Sequence, residues 1–415
     1  MTNCKPTKQQ LAFLDWEFGA FFHFGLRAFY KGYRDWDTRD MDASVFNPEK
    51  LDCASWLRTC RAAGMTYAIM TCKHHDGFAN WPTAYGDYSV KNTPWKDGKG
   101  DVVREFTDAC REVGMKVGLY YSPAQRDQSA FDKMDYDDYF IGQITELLTG
   151  YGKIDYLWFD GCGSGNHEWD RPRIIRTIRS LQPDILIFGM WDPNTRWVGN
   201  EAGIAPLPYT YIVQSQRISV ESDEHTEYEE EMFLPAECDT MMRRGTWFDC
   251  EDNEDQIRSL EELMGLYCMS VGHGVNFLLN IGPTREGLLP EKDAARLTEF
   301  GKEIRKRFGH PLPSSEIHHD GDAHSITFEQ HALVDAVILS EDLTEGEGVK
   351  KYAVYANDIP YSYGEVLVYE GYVIGHKAIC MFPAVYTKGF TVKVTDARGE
   401  YTITRFTAHN TKAQA

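Results

Sequence analysis

The side chains with chemistry to offer gather at the ends of apolar segments. Asp160 closes IDYLWFD, where a charge follows mostly apolar residues and is costly unless paired or put to use. His23 stands within FFHFG, His74 and His75 adjoin in KHHDG, and Tyr120 falls near the end of KVGLYYS. A carboxylate such as Asp160 can act on a glycosidic bond if a second carboxyl group meets it, at ~5–5.5 Å for retention of configuration or ~6.5–9.5 Å for inversion. Glu201 in RWVGNEAG and Glu237 in PAECD are the two acids that do not read as surface residues, whereas the run EYEEE reads as a solvated loop.

Each of these residues has a plainer reading beside it. His23 alone would suit a hydrogen-bonded core position, and Asp160 before Gly161 could simply start a turn. Adjacent histidines directly after a strand point to different sides, so at most one of His74 and His75 can face a core. A metal site would need a third ligand and a spacing such as H-x-x-x-H, which the sequence lacks, so no metal or other cofactor is expected.

The elements that must position these groups alternate. From about residue 18 to 308, β-rich runs at 19–26, 66–72, 116–122, 154–160, 185–190 and 275–281 are separated by segments with helical periodicity, such as 50–64, 100–114, 136–152 and 254–272. This order predicts an α/β fold with a parallel sheet, either doubly wound or closed as a (β/α)8-like TIM barrel. Polar residues at four successive strand ends favour the barrel, because there they would collect at one mouth. The unit repeats well only in the first half, so the barrel is expected to be irregular, with 191–253 irregular and acidic. After KRFG and a Pro-Leu-Pro turn the pattern becomes alternating strands without helices, which predicts a small C-terminal β-sandwich. The division is thus a catalytic barrel over 1–309 and a sandwich over 310–415.

Composition narrows the partners. The 415 residues include 63 acidic and 43 basic side chains, a formal net charge of −20 that disfavours nucleic acid and anionic membranes. No apolar run approaches the roughly 20 residues of a membrane span. The ten cysteines show no C-x-x-C pair and several sit in apolar surroundings, so bridges are not expected. With no export signal at the N-terminus, these features point to a reducing cytoplasm. Aromatic residues reach 13%, with ten tryptophans, a supply of rings on which apolar sugar faces could stack or with which a core could be packed.

FFHFG, TCKHHDGFANWP, GDVVREFTDACREVGMKVGLYYS, IDYLWFDG and NFLLNIGPTREGLLPEKDAARLTEFG, in this order, resemble the successive signatures of glycoside hydrolase family 29, the α-L-fucosidases. RWVGNEAG and PAECDTMMRRGTWF resemble the branch, subfamily B, that prefers α-1,3/1,4-linked fucose. The resemblance implies a retaining exo-α-L-fucosidase with Asp160 as nucleophile and Glu201 as acid/base, acting on fucosylated oligosaccharides. It further implies sugar contacts from His23, His74, His75, Tyr120, Trp158, Glu237 and Trp247. The family's Glu-Trp pair falls on Asp35 and Trp36, where Asp shortens the arm by one methylene. Two alternatives stand beside this reading, a non-catalytic fucose-binding barrel and another exo-glycosidase such as an α-L-galactosidase.

Overall fold

The computed structural model describes residues 4–32, 41–124, 135–164, 167–218, 225–249 and 252–412. Asp35 and Trp36 lie outside the described residues. The chain opens with α1 (Lys8–Leu14), whose first turn is closed by a reciprocal pair: Thr7 Oγ1 accepts from the Gln10 N–H, and Gln10 Oε1 accepts from the Thr7 N–H. Ten strands follow up to residue 280: β1 (Phe18–Phe22), β2 (Tyr67–Lys73), β3 (Lys116–Tyr121), β4 (Tyr156–Phe159), β5 (Leu186–Phe188), β6 (Arg196–Trp197), β7 (Ile212–Arg217), β8 (His225–Phe233), β9 (Ala236–Met241) and β10 (Asn276–Asn280).

Eight of them form one parallel sheet in the order β5-β4-β3-β2-β1-β10-β9-β6. A parallel bridge between Phe188 and Thr195 brings the two outer strands together and all but closes the ring. The helices α2 (Cys53–Ala63), α3 (Val102–Val113), α4 (Tyr136–Gly150), α5 (Arg171–Leu181), α6 (Leu260–Ser270) and α7 (Glu291–Phe308) cover the outside. Asp52, Asp101, Asp135 and Asp170 start α2 to α5 by accepting N–H groups of the first turn, and Gly64 and Gly114 end α2 and α3 in the left-handed conformation.

Strands of such a barrel are buried on both faces, so they read as unbroken apolar runs. In β1, Phe18, Ala20 and Phe22 pack under the helices while Phe21 points inward. The interior holds Phe21, Tyr67, Ile69, Tyr120, Tyr156 and Trp158 among others, and Phe13 and Trp16 at the end of α1 join the same cluster. Their rings lie 5.4 Å from those of Tyr156 and Tyr67 respectively, which closes the barrel at its N-terminal end.

The irregular second half was expected, but not its content. No helix lies between β5 and β6, β9 arises from the polar-looking AECDTM, and EYEEE is no loop: it belongs to β8, which pairs antiparallel with β7. Thr226 and Tyr228 are half-buried while Glu227, Glu229, Glu230 and Glu231 face solvent, so the acids stay solvated while the ladder satisfies the backbone.

Beyond α7 come β11 (His318–Asp320), β12 (Ala323–Glu341), β13 (Val349–Asn357), β14 (Val366–Gly371), β15 (Ala378–Ala397) and β16 (Ile403–His409), all antiparallel. They form a single hydrogen-bonded sheet in which β12 and β15 run 19 and 20 residues. Register shifts between Thr327 and Ala332 and between Val334 and Ala336 bend that pair, and the sheet folds around its own apolar core. The module docks on the barrel through Glu17, which meets Lys377 and lies 3.3 Å from His376. The nine described cysteines are free, and no described helix is long and apolar enough to cross a membrane.

Gly19 shows how tightly the interior is filled, because a Cβ there would stand 2.4 Å from Tyr67 Cζ. Tyr67 cannot yield easily, since its hydroxyl donates to Glu237 Oε2 at 2.5 Å. Gly19→Ala should therefore lower unfolding free energy by about 1–3 kcal/mol in a urea titration. A loss under about 0.5 kcal/mol would mean that the ring is free to move.

Candidate active site

The strand ends meet where the barrel interior opens. Asp160, the residue after β4, is held from three sides: Tyr120 Oη donates to Oδ2 at 2.6 Å, the Cys162 N–H donates to Oδ1 at 2.9 Å, and His75 Nε2 lies 3.4 Å from Oδ2. The bond from Cys162 is the turn expected of an Asp before Gly, so the plain and the chemical readings of Asp160 coexist. Burial pushes this carboxyl upward, but the charge and hydrogen bond of His75, with the bonds from Tyr120 and Cys162, outweigh it and hold Asp160 below the ordinary carboxylate range.

The two histidines of KHHDG do not point to different sides as expected: both are buried, with their rings 4.2 Å apart. His75 borders the cavity and sets its Nδ1 2.7 Å from Ser122 Oγ. His74 stands behind it, its ring stacked on Tyr120 at 5.4 Å and 6°. The motif is anchored on both flanks. Lys73 Nζ donates to the Ser122 carbonyl at 2.7 Å, and Asp76 pairs with the fully buried Arg27 at 3.1 Å. The third ligand that sequence spacing lacked is supplied by the fold: ligand atoms of His74, His75 and Asp160 lie within 4.8 Å of one another. Asp160 is engaged by Tyr120 and His75 by Ser122.

His23 follows β1, and Asn280 at the end of β10 decides its tautomer. Asn280 Nδ2 donates to the Trp247 carbonyl at 2.8 Å, which turns Oδ1 toward His23 Nδ1, also at 2.8 Å. An oxygen facing Nδ1 requires the proton there and leaves Nε2 as an acceptor. Burial lowers the His23 pKa to about 3, so the ring is neutral. Trp247 packs against it at 4.8 Å and also borders the cavity.

Beneath lies Glu237. Tyr67 and Trp158 donate to it at 2.5 and 2.9 Å, with Tyr156 at 3.4 Å, so it forms part of the barrel interior and does not line the cavity. Burial raises its pKa to about 7. Trp158 does line the cavity, stacked between Tyr120 and Phe188. Glu201 reaches the same cavity from the loop after β6, which Asn200 shapes by bonding to the Ile204 carbonyl and the Ala202 N–H. Gly203 fits there at φ 75°, where a Cβ would come within 2.9 Å of Thr240.

Asp160 and Glu201 thus border one cavity of about 210 Å³, with Phe21, Phe188, Met190 and Trp197 among its apolar walls. That volume is small against the roughly 300–1,000 Å³ typical of drug-sized ligands and suits a single sugar ring. Sequence reasoning missed Asp239, Asn280, Ser122 and Arg217. Asn280 carried the same signal as Asp160, a polar residue ending an apolar strand, and Asp239 lies two residues from Glu237 on the same face of β9. Ser122, which closes KVGLYYS, carried that signal too, whereas Arg217 did not.

A family profile described as Alpha-L-fucosidase matches residues 39–307. Alpha-L-fucosidase 1 of Arabidopsis thaliana is 35% identical over 321 residues, covering 74% of this chain and 62% of the plant protein. Plasma alpha-L-fucosidase of Rattus norvegicus is 28% identical, covering 62% of this chain and 55% of the rat protein. The matched part of the chain spans less than two thirds of either relative. The crystal structure of a glycoside hydrolase 29 family member from an unknown rumen bacterium superposes with a TM-score of 0.87 at 33% identity, over 100% of this chain and 78% of the other.

The buried Glu237 makes stability depend on pH in a defined sense. Its folded pKa of about 7 lies above the ordinary value of 4.5, so between these values the folded chain keeps a proton that the unfolded chain has released. Its contribution therefore declines as pH rises through that window. His23, lowered to about 3, acts oppositely but only below its ordinary value of 6.5. The stability difference between Glu237→Gln and the unaltered protein should shift in the variant's favour by about 1–3 kcal/mol from pH 5 to pH 8. Parallel curves in denaturant titrations across that range would contradict this.

Proposed function

The chain belongs to the α-L-fucosidase family, family 29 of the glycoside hydrolases, and from that premise we propose that it is a retaining exo-α-L-fucosidase. The observation that carries this reading is the shared cavity of Asp160 and Glu201, sized for one sugar and closed below. In the proposed double displacement, Asp160 attacks the anomeric carbon of a terminal α-L-fucose while Glu201 gives a proton to the departing glycosidic oxygen. Glu201, now an anion, takes a proton from water, which opens the fucosyl-enzyme and returns Asp160 as a carboxylate.

The surroundings support these roles. Asp160 is kept anionic by His75, Tyr120 and the Cys162 N–H, the state a nucleophile needs. His23 offers a hydroxyl an acceptor at Nε2, and the apolar walls suit the C6 methyl of a 6-deoxy sugar better than a hydroxymethyl group. That lining favours fucose over L-galactose, although apolar walls reject an added hydroxyl only weakly. For linkage, RWVGNEAG and PAECDTMMRRGTWF support α-1,3/1,4-fucosides as substrates.

Asp160→Asn should lower turnover of every fucoside by about three orders of magnitude or more with the fold intact, and near-normal turnover would remove Asp160 from the chemistry. Glu201→Gln should spare fucosides with activated leaving groups more than natural glycans, since only the latter need a proton at departure. Azide should restore turnover of an activated fucoside to Glu201→Gly; no rescue, together with equal damage from Glu237→Gln, would reassign the acid. Offered 2′-fucosyllactose, 3-fucosyllactose, a Lewis trisaccharide and an aryl fucoside, the protein should release fucose fastest from the second and third. Preferential release from 2′-fucosyllactose would reject the linkage assignment.

A further inference from the structure

Resting on the reading of the cavity as a fucose site, we propose that Asp239 is a specificity-determining residue that hydrogen-bonds one ring hydroxyl of the bound sugar. Alternation along β9 turns Glu237 and Asp239 to the same inner face, one above the other. Their circumstances differ. Glu237 spends both oxygens on Tyr67, Tyr156 and Trp158 and does not border the cavity. Asp239 is only 4% exposed, yet beside a bond from its own backbone N–H its one side-chain partner among the described residues is Trp197, whose Nε1 donates to Oδ1 at 2.7 Å. A carboxyl group has about four lone-pair sites, and one so deeply placed is expected to use more than one.

What Asp239 borders is the cavity, together with Asp160, His23 and His75. Asp160 is committed to the reacting carbon in the proposed mechanism and His75 to Ser122 and Asp160, while His23, held by Asn280 at Nδ1, keeps Nε2 for a different hydroxyl. Trp158, Phe188 and Trp197 make part of the remaining wall apolar, and Tyr120, Glu201 and Arg217 are the other polar side chains that border it. Burial, and the nearby charges of Glu237 and Asp160, raise the Asp239 pKa, while the Trp197 bond works against them. A carboxyl that retains its proton can both give and accept a hydrogen bond, which matches a hydroxyl. A site built to bond a hydroxyl discriminates against the analogue without it far more than a merely snug site does.

The test pairs deletion of the side chain with deletion of the hydroxyl. Binding of L-fucose and of its 2-, 3- and 4-deoxy analogues is measured by calorimetry on the full chain, on Asp239→Ala and on Asp239→Asn. One analogue should bind the unaltered protein about tenfold or more weakly than fucose, the worth of one hydrogen bond. On Asp239→Ala that same analogue should bind within about twofold of fucose, while the other two keep their ratios. Asp239→Asn, which still offers Trp197 an acceptor, should retain part of the discrimination; if the alanine variant does not fold, a selective loss in Asp239→Asn for one analogue carries the test. Unchanged ratios for all three analogues, or uniform weakening of every ligand, would overturn the assignment. So would intact binding with turnover of natural fucosides abolished in Asp239→Asn, which would mark a proton donor. Failure of the unaltered protein to bind fucose appears before any substitution, and overturns the sugar reading and this proposal together.

Discussion

A carboxyl group sealed inside a barrel has to find its donors there, and Glu237 takes Tyr67, Tyr156 and Trp158. Much of the cavity depends on that choice. The bond from Trp158 fixes the indole against which Tyr120 stacks at 5.4 Å, and the Tyr120 hydroxyl in turn donates to Asp160. Removing any member leaves a buried polar group or an empty volume, so the set holds together as a unit. The two aromatic rings set the angle at which Asp160 meets the cavity, and Glu237 sets the rings. Its influence on the proposed chemistry is thus exerted through packing, from one layer below.

Much of this arrangement was legible in the sequence, and for a physical reason. Barrel strands buried on both faces are continuous apolar runs, so a charged or polar residue at their ends stands out, as His23, His75 and Asp160 did. The same pattern put α2, α3 and α4 close to where they lie. What escaped were elements whose burial is secured by tertiary contacts. β9 reads as polar because Glu237 and Asp239 are inside it, and they are tolerated there only because Tyr67, Trp158 and Trp197, distant in sequence, supply hydrogen bonds. β6 is two residues long and carries no periodicity at all. EYEEE misled because charge density suggested a loop, when the strands of a solvent-exposed two-stranded hairpin can bear charge without leaving the ladder.

The C-terminal sheet touches this machinery only at a distance. Its contacts include Glu17, just before β1, the turn before β10, where the Ile379 N–H donates to the Gly272 carbonyl at 2.9 Å, and the segment leading into β7, where Glu347 accepts from the Tyr211 N–H at 2.7 Å and Tyr211 Oη accepts from the His376 N–H at 3.0 Å. Burial works against the Glu17 charge, but His376 and Lys377 bring its pKa down to about 2. Pairing of this kind is most effective when both partners are held by well-packed elements, which the separate apolar cores of barrel and sheet provide. The sheet therefore braces the strand that ends in His23 without lining the cavity.

The plug formed by Phe13 and Trp16 has an implication for traffic through the molecule. With its far end stoppered, the barrel is a blind well, and whatever enters must leave by the same opening. A polysaccharide cannot thread it, and only the tip of a glycan can reach the bottom. In the proposed reaction the remainder of the glycan sits above the severed residue, so it has to depart first, and the monosaccharide can follow only once the shaft is clear.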